Sequence, residues 1–114
     1  MNVVYKIVTV ANWRAAQEAG VFLGAGVDLS DRFIHFSTAS QVEETARRHY
    51  AGVTDLLLVA VDVAKLGPAL KWEPSRGGEL FPHLYGPLPM DAVMRADPLP
   101  PTADGQHDFA GLLE

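Results

Sequence analysis

Hydrophobic and polar positions along the chain predict short β-strands separated by two helices. Residues 3–10 are apolar and mostly β-branched apart from Lys6, a pattern typical of a strand. Residues 55–63 are almost all Leu, Val and Ala between two aspartates, which is typical of a strand buried on both faces. We therefore expect this second strand at the centre of the sheet.

The two predicted helices have recognisable ends. Apolar residues recur at helical spacing after Asn12, which suits an N-cap, until Gly20 ends the helix. Ser40 and Glu43 have the spacing of a capping box, so a second helix is expected to begin there. Residues 24–31 between them are rich in Gly, Asp and Ser and are predicted to form a loop.

Two further segments alternate so that aromatic, imidazole and hydroxyl side chains share one face of a strand. These side chains are Phe33, His35 and Ser37 in the first segment, and Phe81, His83 and Tyr85 in the second. If the strands are neighbours, one side of the sheet presents a polar cleft with aromatic walls. Imidazoles and hydroxyls can bind sugar hydroxyls or phosphate oxygens, and aromatic rings can stack on a base or a nicotinamide ring.

Composition and charge limit the classes of protein that fit. The chain has 114 residues, 48% of them hydrophobic and 20% charged, and no cysteine, which predicts one domain at 1–97 without disulfides. Residues 98–114 form a Pro-rich, acidic tail. The net charge of −5 and the scattered basic residues argue against a nucleic-acid-binding surface. Oligomeric state stays open.

The expected location is the cytoplasm. The first ten residues lack the cleavage-site pattern of a signal peptide. The longest apolar run has the length of a strand, well short of the roughly 20 residues that cross a bilayer. We therefore expect a soluble protein that does not bind membranes.

Some kinds of catalytic site are not expected. No pair of histidines or histidine and carboxylate has a local metal-ligand spacing such as i and i+4 on one predicted helix, so no metal is predicted. No serine has the glycine flanks of a nucleophile elbow. The carboxylates that could act in acid–base chemistry or stabilise a cationic transition state are Asp31, Glu73 and Glu79.

Several motifs resemble the bacterial family known as domain of unknown function 952. The most specific is Phe-Pro-His-Leu-Tyr-Gly-Pro-Leu-Pro at 81–89, and Arg-Phe-Ile-His-Phe-Ser-Thr at 32–38 is a second. The resemblance covers about residues 3–98. It implies an α+β fold with two short helices and a split, mostly antiparallel sheet like that of ADP-ribosyltransferases and related RNA 2′-phosphotransferases.

The resemblance implies an NAD- or ADP-ribose-handling transferase or glycohydrolase, with NAD as a substrate. Its catalytic candidates are His35, His83 and Glu73. Its candidates for substrate binding are Tyr5, Lys6, Ser37, Thr38, Trp72 and Tyr85. In this hypothesis His35 and Lys6 orient ribose and phosphate, and His83 acts as an acid or base or binds the ribose.

Two alternatives stand beside this hypothesis. Lys6 lies where a family histidine is expected, and no glutamate is an assured counterpart of the one in transferases. Both departures favour a non-catalytic module that binds a nucleotide or another small metabolite. The second alternative is an interaction domain whose acidic tail binds a protein partner.

Overall fold

Antiparallel strand pairs form the framework of the fold in this computed structural model, which describes residues 2–114. Met1, the first residue of the predicted 1–97 domain, lies outside the described residues. The strands are β1 (Val3–Thr9), β2 (Val21–Phe22), β3 (Ile34–His35), β4 (Leu56–Asp62), β5 (Leu70–Pro74), β6 (Leu80–Leu84), β7 (Leu88–Pro89) and β8 (Val93–Pro98). The α-helices are α1 (Val10–Ala19), α2 (Val27–Asp31) and α3 (Val42–His49).

The central position predicted for the most apolar strand is confirmed. β4 lies between β1 and β8 in one three-stranded sheet, and β6 lies between β3 and β5 in another. Alternate residues of β1 and β4 point into two separate core clusters, as the two-residue period of a strand requires. One cluster packs against α1 and the other against α3, so the sheet is covered on both faces.

Among residues 2–114, the two larger sheets meet at a single backbone pairing. The amide of Tyr5 donates to the carbonyl oxygen of Ser37 at 2.8 Å, and the amide of Ser37 donates to Tyr5 at 2.9 Å. Through this pairing, the chain that leaves β3 runs antiparallel to β1. As a result, the segment that follows His35 runs beside the part of β1 that contains Lys6.

The helices differ from the sequence prediction in number and in their first residues. Three α-helices are present among the described residues, because α2 forms within the stretch predicted to be a loop. α1 is capped by Thr9, whose hydroxyl accepts the amide of Asn12 at 3.1 Å. α3 begins at Val42 without a side-chain cap, so the predicted capping box is wrong. Instead, the carbonyl oxygen of Thr38 accepts hydrogen bonds from the amides of Gln41 and Val42, and this turn leads into the helix.

Residues after β8 pack against the core. Leu99 is buried and its amide donates to the carbonyl oxygen of Leu56 at 3.0 Å. Phe109 is also buried, in the same core cluster as the inward residues of α3. Among residues 2–114, no helix combines the length and apolar character that a membrane crossing needs.

Candidate functional site

Pairing of β3 with β6 brings the two predicted segments together, so the condition for a shared cleft, that the two strands are neighbours, is met. His35 lies directly opposite His83, and their ring centroids are 5.4 Å apart. The ring of Phe33 packs on both imidazoles, at centroid distances of 4.4 Å to His35 and 4.1 Å to His83. Phe33 also lies 5.1 Å from the ring of Tyr85. The four rings form one connected aromatic cluster.

Glu73 holds His83 through one ring nitrogen. The Nδ1 atom of His83 lies 2.8 Å from Glu73 Oε1, and the hydroxyl of Tyr85 donates to the same oxygen at 2.7 Å. These two hydrogen bonds lower the pKa of Glu73, and the bond to Glu73 raises the pKa of Tyr85. A carboxylate at Nδ1 favours the tautomer in which Nδ1 carries the proton and Nε2 is an acceptor.

The other nitrogen of His83 is free to act on a ligand. Among the described residues, Nε2 has no hydrogen-bond partner, although His83 is only 5% exposed. The side chain lines a cavity among the described residues. A buried imidazole with one fixed and one free nitrogen has the arrangement of a general base.

A buried carboxylate joins Lys6 to His35. The ammonium of Lys6 lies 3.0 Å and 2.9 Å from the two carboxylate oxygens of Asp28. The Nδ1 atom of His35 lies 2.7 Å from Asp28 Oδ1, and the backbone amide of His35 donates to the same oxygen at 3.0 Å. α2 presents Asp28 to both partners, and the Asp28 side chain is fully buried.

Burial and pairing act in opposite directions on these charges. Burial alone would raise the pKa of Asp28, but the hydrogen bonds from His35 and the charge of Lys6 outweigh it and lower the pKa to about 2. Burial also lowers the pKa of Lys6, against the opposing attraction of Asp28. The ionised carboxylate of Asp28 therefore fits its surroundings.

His35 differs from His83 because both of its nitrogens are engaged. Its Nε2 atom lies 2.9 Å from a carboxylate oxygen of Asp31, while Nδ1 contacts Asp28. His35 thus ties β3 to α2, and His83 is the histidine with a nitrogen left for chemistry.

The cavity has a volume of about 490 Å³ and gathers part of the predicted site. The predicted residues that line it are Tyr5, Lys6, His35, Ser37 and His83. Thr38 lies outside the lining, and its amide donates to the side chain of Gln41 at 3.0 Å. Glu73 contacts His83 from outside the lining. Trp72 and Tyr85 also lie outside it and are 45% and 42% exposed.

Charge in the lining is one-sided. Lys6 and Arg76 line the cavity together with three histidines, whereas no Asp or Glu of the described residues does. The guanidinium of Arg76 lies 4.9 Å from the ring centroid of Phe81, and its Nε atom lies 2.9 Å from Glu44 Oε2. Both cations are paired with carboxylates outside the lining, Lys6 with Asp28 and Arg76 with Glu44, so the cavity wall offers cationic donors without an excess of positive charge.

Two residues of the site escaped the sequence analysis. The local sequence predicts that Asp28 lies in a loop, although Lys6 in an otherwise apolar strand indicates a buried carboxylate nearby. Arg76 follows β5 in a glycine-rich turn, and nothing in its local sequence indicates that it reaches the cavity. Only the tertiary fold reveals that contact.

Comparison with known proteins decides the family. A family model described as protein of unknown function, DUF952, matches residues 7–96. The chain belongs to the DUF952 family. The resemblance found in the motifs is thereby confirmed. No match was found among curated proteins.

Solved structures similar to this DUF952 protein come from Caulobacter crescentus. The crystal structure of protein CC0527 is 47% identical, covers 94% of each chain and superposes with a TM-score of 0.91. The solution NMR structure of CC0527 is also 47% identical, covers 96% of this chain and 94% of that one, and has a TM-score of 0.85. An α+β fold with antiparallel sheets and few helices is therefore shared between them.

Proposed function

We propose that the protein is a nucleotide-handling enzyme of ADP-ribosyltransferase type. It binds NAD or another molecule that contains ADP-ribose, and it cleaves the nicotinamide glycosidic bond or transfers the ADP-ribose. The observation that carries the proposal is the free Nε2 of His83, which belongs to a buried imidazole held by Glu73 at the wall of a cation-lined cavity. The split between the two larger sheets supports the same proposal.

The size and charge of the cavity suit a nucleotide. Its volume of about 490 Å³ lies within the range of small-molecule sites, which is roughly 300 to 1,000 Å³. Lys6 and Arg76 supply positive charge for phosphate oxygens, and Ser37 supplies a hydroxyl for a ribose or phosphate. The acidic surface of the protein argues for a free nucleotide rather than for RNA.

The proposed chemistry needs one proton acceptor near the ribose. The oxygen of water, or of an acceptor hydroxyl, forms a bond to the anomeric carbon while the bond from that carbon to the nicotinamide nitrogen breaks. Nicotinamide leaves with the bonding electron pair as a neutral molecule. Nε2 of His83 takes the proton of the attacking group, and Glu73 stabilises the resulting imidazolium. Glu73 is then a positioning residue.

A non-catalytic binding module is the second candidate, and one observation favours it. No carboxylate of the described residues lines the cavity, so no negative side chain faces the place where an anomeric carbon would develop positive charge. Glu73 reaches the cavity only through His83. A sensor that retains a nucleotide without consuming it would have the same lining.

One experiment separates the two candidates. Purified protein is titrated with NAD by calorimetry, and the same sample is analysed by chromatography for released nicotinamide. We expect binding with release, and we expect the release rate to fall at least about 100-fold in His83→Ala, the usual minimum loss when a general base is removed. Glu73→Gln should lower the rate less and shift its pH profile.

The matched control is His49→Ala, because His49 also lines the cavity but has no carboxylate contact among the described residues. It should release nicotinamide at nearly the wild-type rate. Binding of NAD without release would favour the binding module. Absence of binding of both NAD and ADP-ribose at millimolar concentration would contradict both candidates.

A further inference from the structure

Arg76 packs against the neighbour of His83 on one face of β6. Its guanidinium packs over the ring of Phe81, and Phe81 and His83 lie two residues apart on β6. Side chains two residues apart share a face of a strand and are about 7 Å apart. Phe81 and His83 both line the cavity, so Arg76 packs beside a residue that shares the cavity wall with His83.

The terminal nitrogens of Arg76 are held weakly, unlike its Nε atom. Nη1 lies 3.4 Å from Thr45 Oγ1 and Nη2 lies 3.5 Å from the carbonyl oxygen of Gln41, both longer than the usual distance of about 2.9 Å. By contrast, Nε contacts Glu44 at 2.9 Å. The ion pair with Glu44 therefore orients the guanidinium while its outer donors can be drawn to a better acceptor.

Hydroxyl groups complete the surroundings of Arg76. Ser37 Oγ and Thr45 Oγ1 lie 2.9 Å apart, and both residues line the cavity together with Ser75. Glu44, the carboxylate that contacts Arg76, does not line the cavity. A guanidinium fork beside several hydroxyls matches the oxygens of a phosphate group.

We propose that Arg76, with the hydroxyls of Ser37, Thr45 and Ser75, forms a subsite for the phosphate of the ligand. The inference rests on the proposed function and deepens it. A phosphate at Arg76 brings the attached ribose to His83, so the substrate class is a nucleoside 5′-phosphate or a molecule built on its pyrophosphate. Arg76 is a specificity-determining residue in this arrangement, because a nucleoside without phosphate offers no anionic acceptor to its two weakly held terminal nitrogens.

The test compares two arginines that share one carboxylate. Arg48 contacts the same Oε2 atom of Glu44, at 3.2 Å, but it lies on the outer side of α3 and does not line the cavity. Calorimetry with inorganic pyrophosphate and with ADP-ribose should show affinity at least about tenfold weaker in Arg76→Gln, the loss expected for a charge-assisted hydrogen bond. Arg48→Gln should stay within about twofold of wild type, and Arg76→Lys should be intermediate.

Equal affinities in the two glutamine variants, or no binding of either probe to the wild-type protein at millimolar concentration, would overturn the subsite. The amide NMR spectrum of each variant confirms the fold before the comparison is made. Nicotinamide release with the same KM for NAD in both glutamine variants would remove the subsite and leave the proposed function standing. Arg76-dependent binding of pyrophosphate without any binding of NAD would keep the subsite and remove the proposed function.

Discussion

At the scale of single residues, the carboxylate of Asp28 depends on the hydrogen-bond donors that surround it. It is fully buried and accepts hydrogen bonds from Lys6, from both the ring and the backbone of His35, and from the amide of Ala25. Several donors around one carboxylate compensate for the loss of hydration that burial imposes. Removal of its charge should therefore destabilise the fold.

We predict that Asp28→Asn lowers the free energy of unfolding by about 3 kcal/mol at neutral pH, because Lys6 then remains buried without its anion. Asp31→Asn is the control, since it makes the same chemical change on the same helix at a half-exposed side chain that contacts only the outer nitrogen of His35. That variant should lose roughly 0.5 kcal/mol. Urea unfolding of both variants measures the difference, and equal losses would contradict the prediction.

Comparison of the wild type with Asp28→Asn also tests how the stabilising contribution of Asp28 depends on pH. The pKa of Asp28 is depressed from 3.8 to about 2 in the folded state, so its stabilising contribution is complete above about pH 4 and disappears as the pH falls towards 2. The stability gap between wild type and Asp28→Asn should then narrow by about 2 kcal/mol between about pH 5 and pH 2. A gap that stays constant over this range would show that the charge of Asp28 does not act in this way.

At the scale of elements, α2 depends on a glycine before it. The backbone of Gly24 has a φ of +113°, and a Cβ atom added there would lie 2.8 Å from the Cβ of Asp28. That distance is too short for two carbon atoms without a shift of the backbone. Gly24 therefore allows α2 to lie close enough for Asp28 to reach Lys6.

We predict that Gly24→Ala lowers the free energy of unfolding by about 2 kcal/mol and displaces Asp28, because the new methyl group adds a clash to the strain at positive φ. Gly20→Ala is the control: its φ is +81° but a Cβ there meets nothing within 4 Å. It should lose about 1 kcal/mol from strain alone. The side-chain NMR signals of His35 should shift in the first variant and stay in place in the second. An unchanged His35 in both would refute the displacement.

The sequence predicts strands better than it predicts the site. The strands are predictable because their patterns are local. β4 is a continuous apolar run, and the segments around His35 and His83 alternate residue by residue, so both patterns can be recognised in the sequence alone. α2 has only five residues, and the turn-forming composition of the surrounding segment predicts a loop in place of this helix. The contacts of Asp28 with Lys6 and of Arg76 with the cavity join residues far apart in sequence, so no local pattern contains them.

At the scale of the whole molecule, the segment after β8 is part of the second core cluster. Leu99 and Phe109 are buried there beside the inward face of α3. The backbone amide of Gly52 donates to Gly105 at 2.8 Å, and a ring nitrogen of His107 lies 2.7 Å from the carbonyl oxygen of Val53. Deletion of residues 98–114 would therefore remove core contacts as well as any partner-binding surface.

A single substitution tests this contribution without deletion. Phe109 is 8% exposed, so Phe109→Ala should lower the free energy of unfolding by about 3 kcal/mol through lost burial and the cavity left behind. Leu23→Ala changes a large apolar side chain that is 66% exposed and should stay within about 0.5 kcal/mol of wild type. Thermal unfolding of the two variants provides the comparison. A loss in Phe109→Ala as small as in the control would mean that the segment is not part of the cooperative core.

The packing of Phe33 on both histidines has a spectroscopic consequence. Its ring is tilted by 31° to His83 and 41° to His35, with centroids close enough for each imidazole to lie above the aromatic face. Magnetic shielding by an aromatic ring is strongest over its face. The ring protons of these two histidines should therefore resonate upfield of those of His49 and His107, which have no such neighbour among the described rings. The ring-proton signals of His35 and His83 can then be followed during a titration separately from those of the other two histidines, without site-specific isotopic labelling.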